Sequence, residues 1–102
     1  MMGGCMIIAV DYDGTLETNG RMNEALIHSL VNKQRCGATV ILWTCRQGTR
    51  LQEALQKLND AGFMPDFVNR NDPFISQRFG YEPRKVYADI YIDDKNAIIN
   101  GR

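Results

Sequence analysis

The sequence predicts an α/β fold with a mainly parallel sheet of about four strands flanked by helices. Short apolar runs of strand length alternate along the chain with segments whose apolar residues recur at helical spacing. Three of the apolar runs finish in polar groups, at Asp11 and Asp13, at Thr44, and at Asp93 and Asp94. Glycines stand where the helical segments should stop, at Gly37 and Gly62. Strands alternating with helices give parallel pairing through right-handed crossovers. The 102 residues, 44% of them hydrophobic, suffice for one domain spanning 1–102 with one modest core.

Taken in order, Met1 to Gly4 reads as a frayed start and Cys5 to Val10 as the first strand. Its unbroken apolar run places it mid-sheet, covered on both faces. Residues 14–22 hold glycines, Thr18 and Asn19 with little apolar content, and so form a short loop or flap over the end of that strand. Asn23 is suited to cap a first helix that buries Leu26, Ile27, Leu30 and Val31. Ala38 to Trp43 is a second, β-branched strand. A second helix runs from about Thr49 to Ala61 on Leu51, Ala54, Leu55 and Leu58, and Phe63-Met64-Pro65 turns into a short third strand near Asp66 to Asn69. Asn71 to Pro83 reads as a loop with one helical turn, Val86 to Ile92 as the last strand, and Lys95 to Arg102 as a short helix or tail.

Composition excludes several classes. Twelve acidic and twelve basic residues cancel, so no global field draws the chain to nucleic acid or anionic membrane, although a local basic patch stays open. The longest apolar run, Met6 to Val10, is far below a membrane span, and no cationic stretch precedes it; the expectation is a cytoplasmic protein. Cys5, Cys36 and Cys45 are odd in number and lack metal-ligand spacing, so reduced, packed thiols are expected and zinc is not.

The first strand delivers two carboxylates, two residues apart, into a glycine turn. Asp11 and Asp13 would cost several kcal/mol each as bare buried ions, and a hard divalent cation such as Mg2+ best offsets them. In a parallel sheet all strand C-termini share one edge, so Asp11, Asp13, Thr44, Asp93 and Asp94 converge if their strands are neighbours. A lone Asp at a strand end is equally well explained as a helix cap or a solvated group. Acids at two strand ends with a hydroxyl at a third are better explained by a site.

These residues carry a resemblance. Ile7-Ile8-Ala9-Val10-Asp11-Tyr12-Asp13-Gly14-Thr15 resembles the first motif of the haloacid dehalogenase (HAD) superfamily, Val40-Ile41-Leu42-Trp43-Thr44 its second, and Ile90-Tyr91-Ile92-Asp93-Asp94 its fourth. The resemblance spans about residues 6 to 94, in the right order. It implies a Rossmann-like sheet of order 4-1-2-3 and a Mg2+-dependent phosphomonoester hydrolase. In that scheme Asp11 attacks phosphorus to give an aspartyl-phosphate and Asp13 serves as general acid and base. Mg2+ is held by the Asp11 carboxylate, the Asp13 carbonyl and an acid of the Asp93-Asp94 pair. Thr44 donates to a phosphoryl oxygen, with backbone N–H groups near Tyr12 and Cys45 beside it.

The third-motif cation is Lys85, with Arg78 and Arg70 as rivals. Eight residues of unbroken strand from Lys85 to Asp93 would span roughly 26 Å, so Lys85 reaches the site only if the chain bends back. Arg46, just past Thr44, is placed for substrate contact or for a solvated helix start. Because only short segments separate the motifs, the resemblance is to a capless member. Its open site either takes a bulky phosphorylated substrate, such as a protein or a nucleic-acid end, or is closed by a partner subunit, and a short sheet edge after Asp94 leaves homo-oligomers open.

Two alternatives remain on sequence alone. One is a non-catalytic phosphate- or metal-binding module of the same fold. The other is a Toprim-like metal site of a nucleic-acid enzyme, although Toprim requires a glutamate on an earlier strand and none precedes Ile7. Trp43 reads as core rather than a substrate platform, His28 as a surface or boundary residue, and Asp89 as a tie to a neighbouring segment. Asn19 and Arg21 are modest candidates for substrate contact.

Overall fold

The computed structural model describes residues 6–70 and 88–93 and the backbone of 97–99. Strand β1 (Ile7–Asp11) leads into a hairpin of β2 (Glu17–Thr18) and β3 (Arg21–Met22). Helix α1 (Glu24–Arg35), β4 (Thr39–Trp43), helix α2 (Gly48–Asp60), β5 (Phe67–Val68), β6 (Ile90–Ile92) and β7 (Ala97–Ile99) follow. The main sheet has the order β5-β4-β1-β6-β7, parallel throughout except for the β6–β7 pair.

Four parallel strands flanked by two helices agree with the predicted class, but the sheet order differs from the predicted four-membered one by a fifth strand. That strand lies outside β6, where the sequence suggested a short helix or tail. Ala97-Ile98-Ile99 is too short to show a period, and only four residues separate Ile92 from Ala97. Such a short connection returns the chain antiparallel. It also occupies the sheet edge expected to be free for oligomers.

The steps from β1 to β4 and from β4 to β5 run in the same direction across the sheet, so two right-handed crossovers set both helices on one face. Ile27 and Leu30 of α1 and Ala54 and Leu58 of α2 pack there on Ile8, Val10, Val40 and Leu42. Each of these isoleucine, leucine and valine side chains taken fully out of water contributes about 1.5–3 kcal/mol. The opposite face carries Ile7, Ala9 and Ile41 with Ala88, Phe67 and Tyr91.

Two aspartates set the strand register from outside the strands. Asp89 donates its N–H to the Ile7 carbonyl at 2.7 Å and accepts the Ile7 N–H on Oδ2 at 2.8 Å, the tie expected of it. Asp66 treats Val40 in the same way, at 2.8 Å in both directions.

Helix α1 starts where expected, with the Asn23 side chain accepting the Leu26 N–H at 3.2 Å. It ends at Gly37, whose φ of 101° reverses the chain at little cost. The flap is a correction: residues 17–22 form an antiparallel hairpin rather than a loop. Asn19 and Gly20 take φ of 52° and 81°, the paired left-handed conformation of a type I′ turn, and Asn-Gly is its preferred sequence. Cys36 and Cys45 are a second correction, being exposed free thiols and not packed ones. Among the described residues no helix is long and apolar enough to cross a membrane.

Candidate active site

Register brings the predicted residues to one edge. Asp11 pairs with Trp43, Val10 with Ile92, and Leu42 with Val68. Asp11, Trp43, Asp93 and Asn69 therefore stand at one level on four neighbouring strand ends, about 4.8 Å from strand to strand. Thr44 is one residue further out. The chain leaves β1 towards β4, whereas β6 lies on the other side of β1. An open α/β sheet has its crevice at such a reversal, outside the carboxyl ends. Asp11 and Asp93 flank it. A groove beside Met6, His28, Lys33 and Ala38 lies at the opposite ends of the strands.

The turn after β1 is wound tightly on Tyr12, whose carbonyl accepts the N–H groups of Thr15, Leu16 and Glu17 at 3.2, 2.9 and 3.1 Å. The Tyr12 ring is fully buried beneath the turn, so its side chain is structural and only its backbone faces the site's level. Its hydroxyl donates to the Glu17 carboxylate, which also takes the Lys57 ammonium at 3.1 Å. Burial first, and then the Glu17 carboxylate, push the Tyr12 hydroxyl well above its ordinary range. The Tyr12 hydrogen bond and then Lys57 hold Glu17 below its ordinary range, against the opposing effect of its own burial. This trio fastens β2 to α2 and so holds the hairpin beside the site.

Asp13 points away from the strand axis and meets Arg46. Nη2 of Arg46 lies 2.7 Å from Oδ1 of Asp13, and Nε lies 3.0 Å from Oδ2. The guanidinium also covers the Tyr12 ring, 4.7 Å from its centroid. Although the Asp13 side chain is 55% exposed, that of Arg46 is only 12% exposed, so the pair is fixed from the arginine side. These hydrogen bonds, with the nearby Arg46 and Arg50 charges, hold the Asp13 carboxyl below its ordinary range. Arg46 thus contacts a site carboxylate, which neither of its sequence readings anticipated.

Thr44 is fixed by two bonds of opposite sense. Its N–H donates to Oδ1 of Asn69 at 2.7 Å, and its Oγ1 accepts the Arg46 N–H at 3.1 Å. Accepting at Oγ1 leaves the single hydroxyl proton to be donated elsewhere. Asn69 does this from a left-handed backbone, φ 55°. Sequence reasoning missed it, and the available signal was that asparagine tolerates that conformation better than most residues.

Cys45 is exposed between Thr44 and Arg46. Lys85, Asp94 and Arg78 lie outside the described residues. Arg70 stacks its guanidinium over the Phe67 ring at 4.8 Å. Trp43, expected in the core, is 41% exposed; as the last residue of β4 it passes beyond the layer that buries Val40, Ile41 and Leu42.

No cluster of three or more His, Cys, Asp or Glu side chains suited to a metal occurs among the described residues. The Asp13 carboxylate is engaged by Arg46, and the carboxylates that register brings to the switch point are those of Asp11 and Asp93. An all-oxygen set of this kind suits a hard cation such as Mg2+, which keeps several waters and needs few protein ligands.

Neither a protein-family model nor a curated protein matches this chain. A solved structure does: a conserved protein coded by a locus of Bacteroides thetaiotaomicron is 33% identical, with a TM-score of 0.75 over 91% of this chain and 78% of that one. The chain belongs to the same family as that conserved protein.

Proposed function

We propose that this chain, a family member of the conserved Bacteroides protein, is a Mg2+-dependent phosphomonoester hydrolase of the capless HAD type. The observation that carries the reading is the register that sets Asp11, Asp93 and Thr44 around one switch point. The motif resemblance supplies the roles. Bound between Asp11, Asp93 and the Asp13 carbonyl, Mg2+ would neutralise part of the phosphoryl charge so that a carboxylate can approach an anion.

An Asp11 carboxylate oxygen attacks phosphorus, the ester P–O bond breaks, and the departing oxygen takes its proton from Asp13. Water then attacks the phosphorus of the aspartyl-phosphate, gives a proton to Asp13, and releases Asp11. The Thr44 hydroxyl proton, left free by the Arg46 N–H bond, is donated to a phosphoryl oxygen. Arg46 favours the ionised form of Asp13 in the resting site; Asp13 takes up the proton of an incoming phosphomonoester monoanion, whose second pKa is about 6, as the guanidinium turns to the phosphoryl oxygens. The arginine thereby couples substrate arrival to the proton on Asp13.

The test is hydrolysis of p-nitrophenyl phosphate by the wild type with Mg2+, by the wild type with EDTA, and by Asp11→Asn. Activity that requires Mg2+ and vanishes in Asp11→Asn supports the reading. An inert wild type that also fails to bind beryllofluoride in the presence of Mg2+ overturns it.

A further inference from the structure

Trp43 is the single tryptophan of the chain and the last residue of β4, in register with Asp11. Residues paired across a parallel ladder project to the same face, and side chains alternate along each strand. Asp11 therefore shares the face of Ile7 and Ala9, and Trp43 shares the face of Ile41, and these are one face. Both helices pack on the other one, so neither α1 nor α2 covers the indole. The strand is fully buried from Val40 to Leu42, and then its largest apolar side chain is 41% exposed. A scattered exposed apolar residue needs no explanation, but this one is the in-register neighbour of the proposed nucleophile.

The same face carries a second aromatic and a cation. Phe67 packs with Ile41, and the Arg70 guanidinium lies over its ring. The site edge therefore continues from Asp11 across Trp43 to Arg70, whereas the Asp13–Arg46 pair adjoins the buried ring of Tyr12, on the helix-covered face. An ester group that reaches from phosphorus across the strand ends towards Trp43 meets an exposed aromatic plane.

We infer that Trp43 is a specificity-determining residue that stacks on a planar ring in the leaving group, so that the site takes phosphomonoesters of aromatic or heterocyclic alcohols in preference to aliphatic ones. The inference rests on the phosphohydrolase reading for where the phosphoryl group sits. The ring can come from an aryl ester or, several bonds further away, from a nucleoside monophosphate. Stacking of a ring on an indole is worth about tenfold or more in binding.

Because there is one tryptophan, its fluorescence reports this position alone. The experiment titrates the wild-type protein, with Mg2+ and the phosphate analogue beryllofluoride present, with adenosine, phenol and glycerol. It then compares kcat/KM for adenosine 5′-monophosphate, phenyl phosphate and glycerol phosphate in the wild type, Trp43→Phe and Trp43→Ala. The expected result is quenching by at least one ring compound and none by glycerol. Trp43→Ala should lose about tenfold on the matching ring ester and less than twofold on glycerol phosphate, with Trp43→Phe retaining most of the ring preference; which ring compound responds identifies the source. Equal losses on all esters, or no response to either ring compound, overturns the inference while Mg2+-dependent hydrolysis leaves the phosphatase reading standing. Ring-specific quenching in a protein that hydrolyses no phosphomonoester supports ring binding at Trp43 and overturns the phosphatase reading instead.

Discussion

Arg46 holds Asp13 through Nη2 at 2.7 Å and Nε at 3.0 Å, across 33 residues of chain. The residue proposed as general acid is thereby held in its ionised form more firmly than a free carboxyl. Arg46→Gln removes the charge and returns the Asp13 carboxyl towards its ordinary range. A group that must be protonated to act loses activity as pH rises through its pKa, so the alkaline limb of kcat/KM on an alkyl phosphate should move up in pH. With p-nitrophenyl phosphate, whose leaving group needs no proton, that limb should stay in place. The variant should also be slower by about 10- to 100-fold. Equal displacement of the limb for both substrates would show that the shift belongs to another group.

The Tyr12–Glu17–Lys57 trio makes stability depend on pH at both ends. Glu17 is held below its ordinary value of 4.5 by Tyr12 and then by Lys57, so its contribution is present above the unfolded value and is lost as pH falls through the lower folded one. Tyr12 is raised, so its contribution is complete below its unfolded value of about 10 and declines above it. Tyr12→Phe should cost about 1–2 kcal/mol at pH 7. In urea unfolding, the gap between wild type and Tyr12→Phe should shrink between pH 7 and about pH 3.5. A gap of constant size across that range would sink the assignment.

Asn69 combines a left-handed backbone with a side chain that accepts the Thr44 N–H. Asn69→Gly keeps the conformation and loses the bond, whereas Asn69→Ala loses both. Thermal unfolding should therefore rank wild type above Asn69→Gly above Asn69→Ala, with about 1 kcal/mol between the two variants. An alanine variant more stable than the glycine variant would mean that backbone strain plays no part there.

Asp93 stands one register step beyond the Val10–Ile92 pair, beside Asp11. If these two carboxylates share the cation, Asp93→Asn should raise the Mg2+ concentration needed for half-maximal hydrolysis by at least about tenfold. Its unfolding midpoint in EDTA should match that of the wild type in EDTA. An unchanged Mg2+ requirement would remove Asp93 from the ligand set.

Much of the frame could be read from one dimension because it rests on local signals. The unbroken run Ile7 to Val10, the Asn23 cap, the helical spacing of Leu26, Ile27 and Leu30, and the stop at Gly37 all act within a few residues of one another. The Asn-Gly turn of the hairpin was equally local, and its strands escaped notice only because two residues each are too few to show alternation. Strand β7 escaped for the same reason.

By itself the sequence determined that carboxylates and a hydroxyl stand at strand ends, because an apolar run must stop where the chain leaves the sheet, and a resemblance in those motifs suggested the chemistry. Tertiary structure alone decided what each of them meets. Arg46 closes on Asp13, Asn69 on Thr44, and Glu17 on Tyr12 and Lys57, and Trp43 stays outside the core beside Asp11. Apart from Tyr12 with Glu17, these contacts join residues 25 to 40 positions apart. No periodicity or capping rule reaches that far. Only the order and register of the strands set those side chains within hydrogen-bonding range.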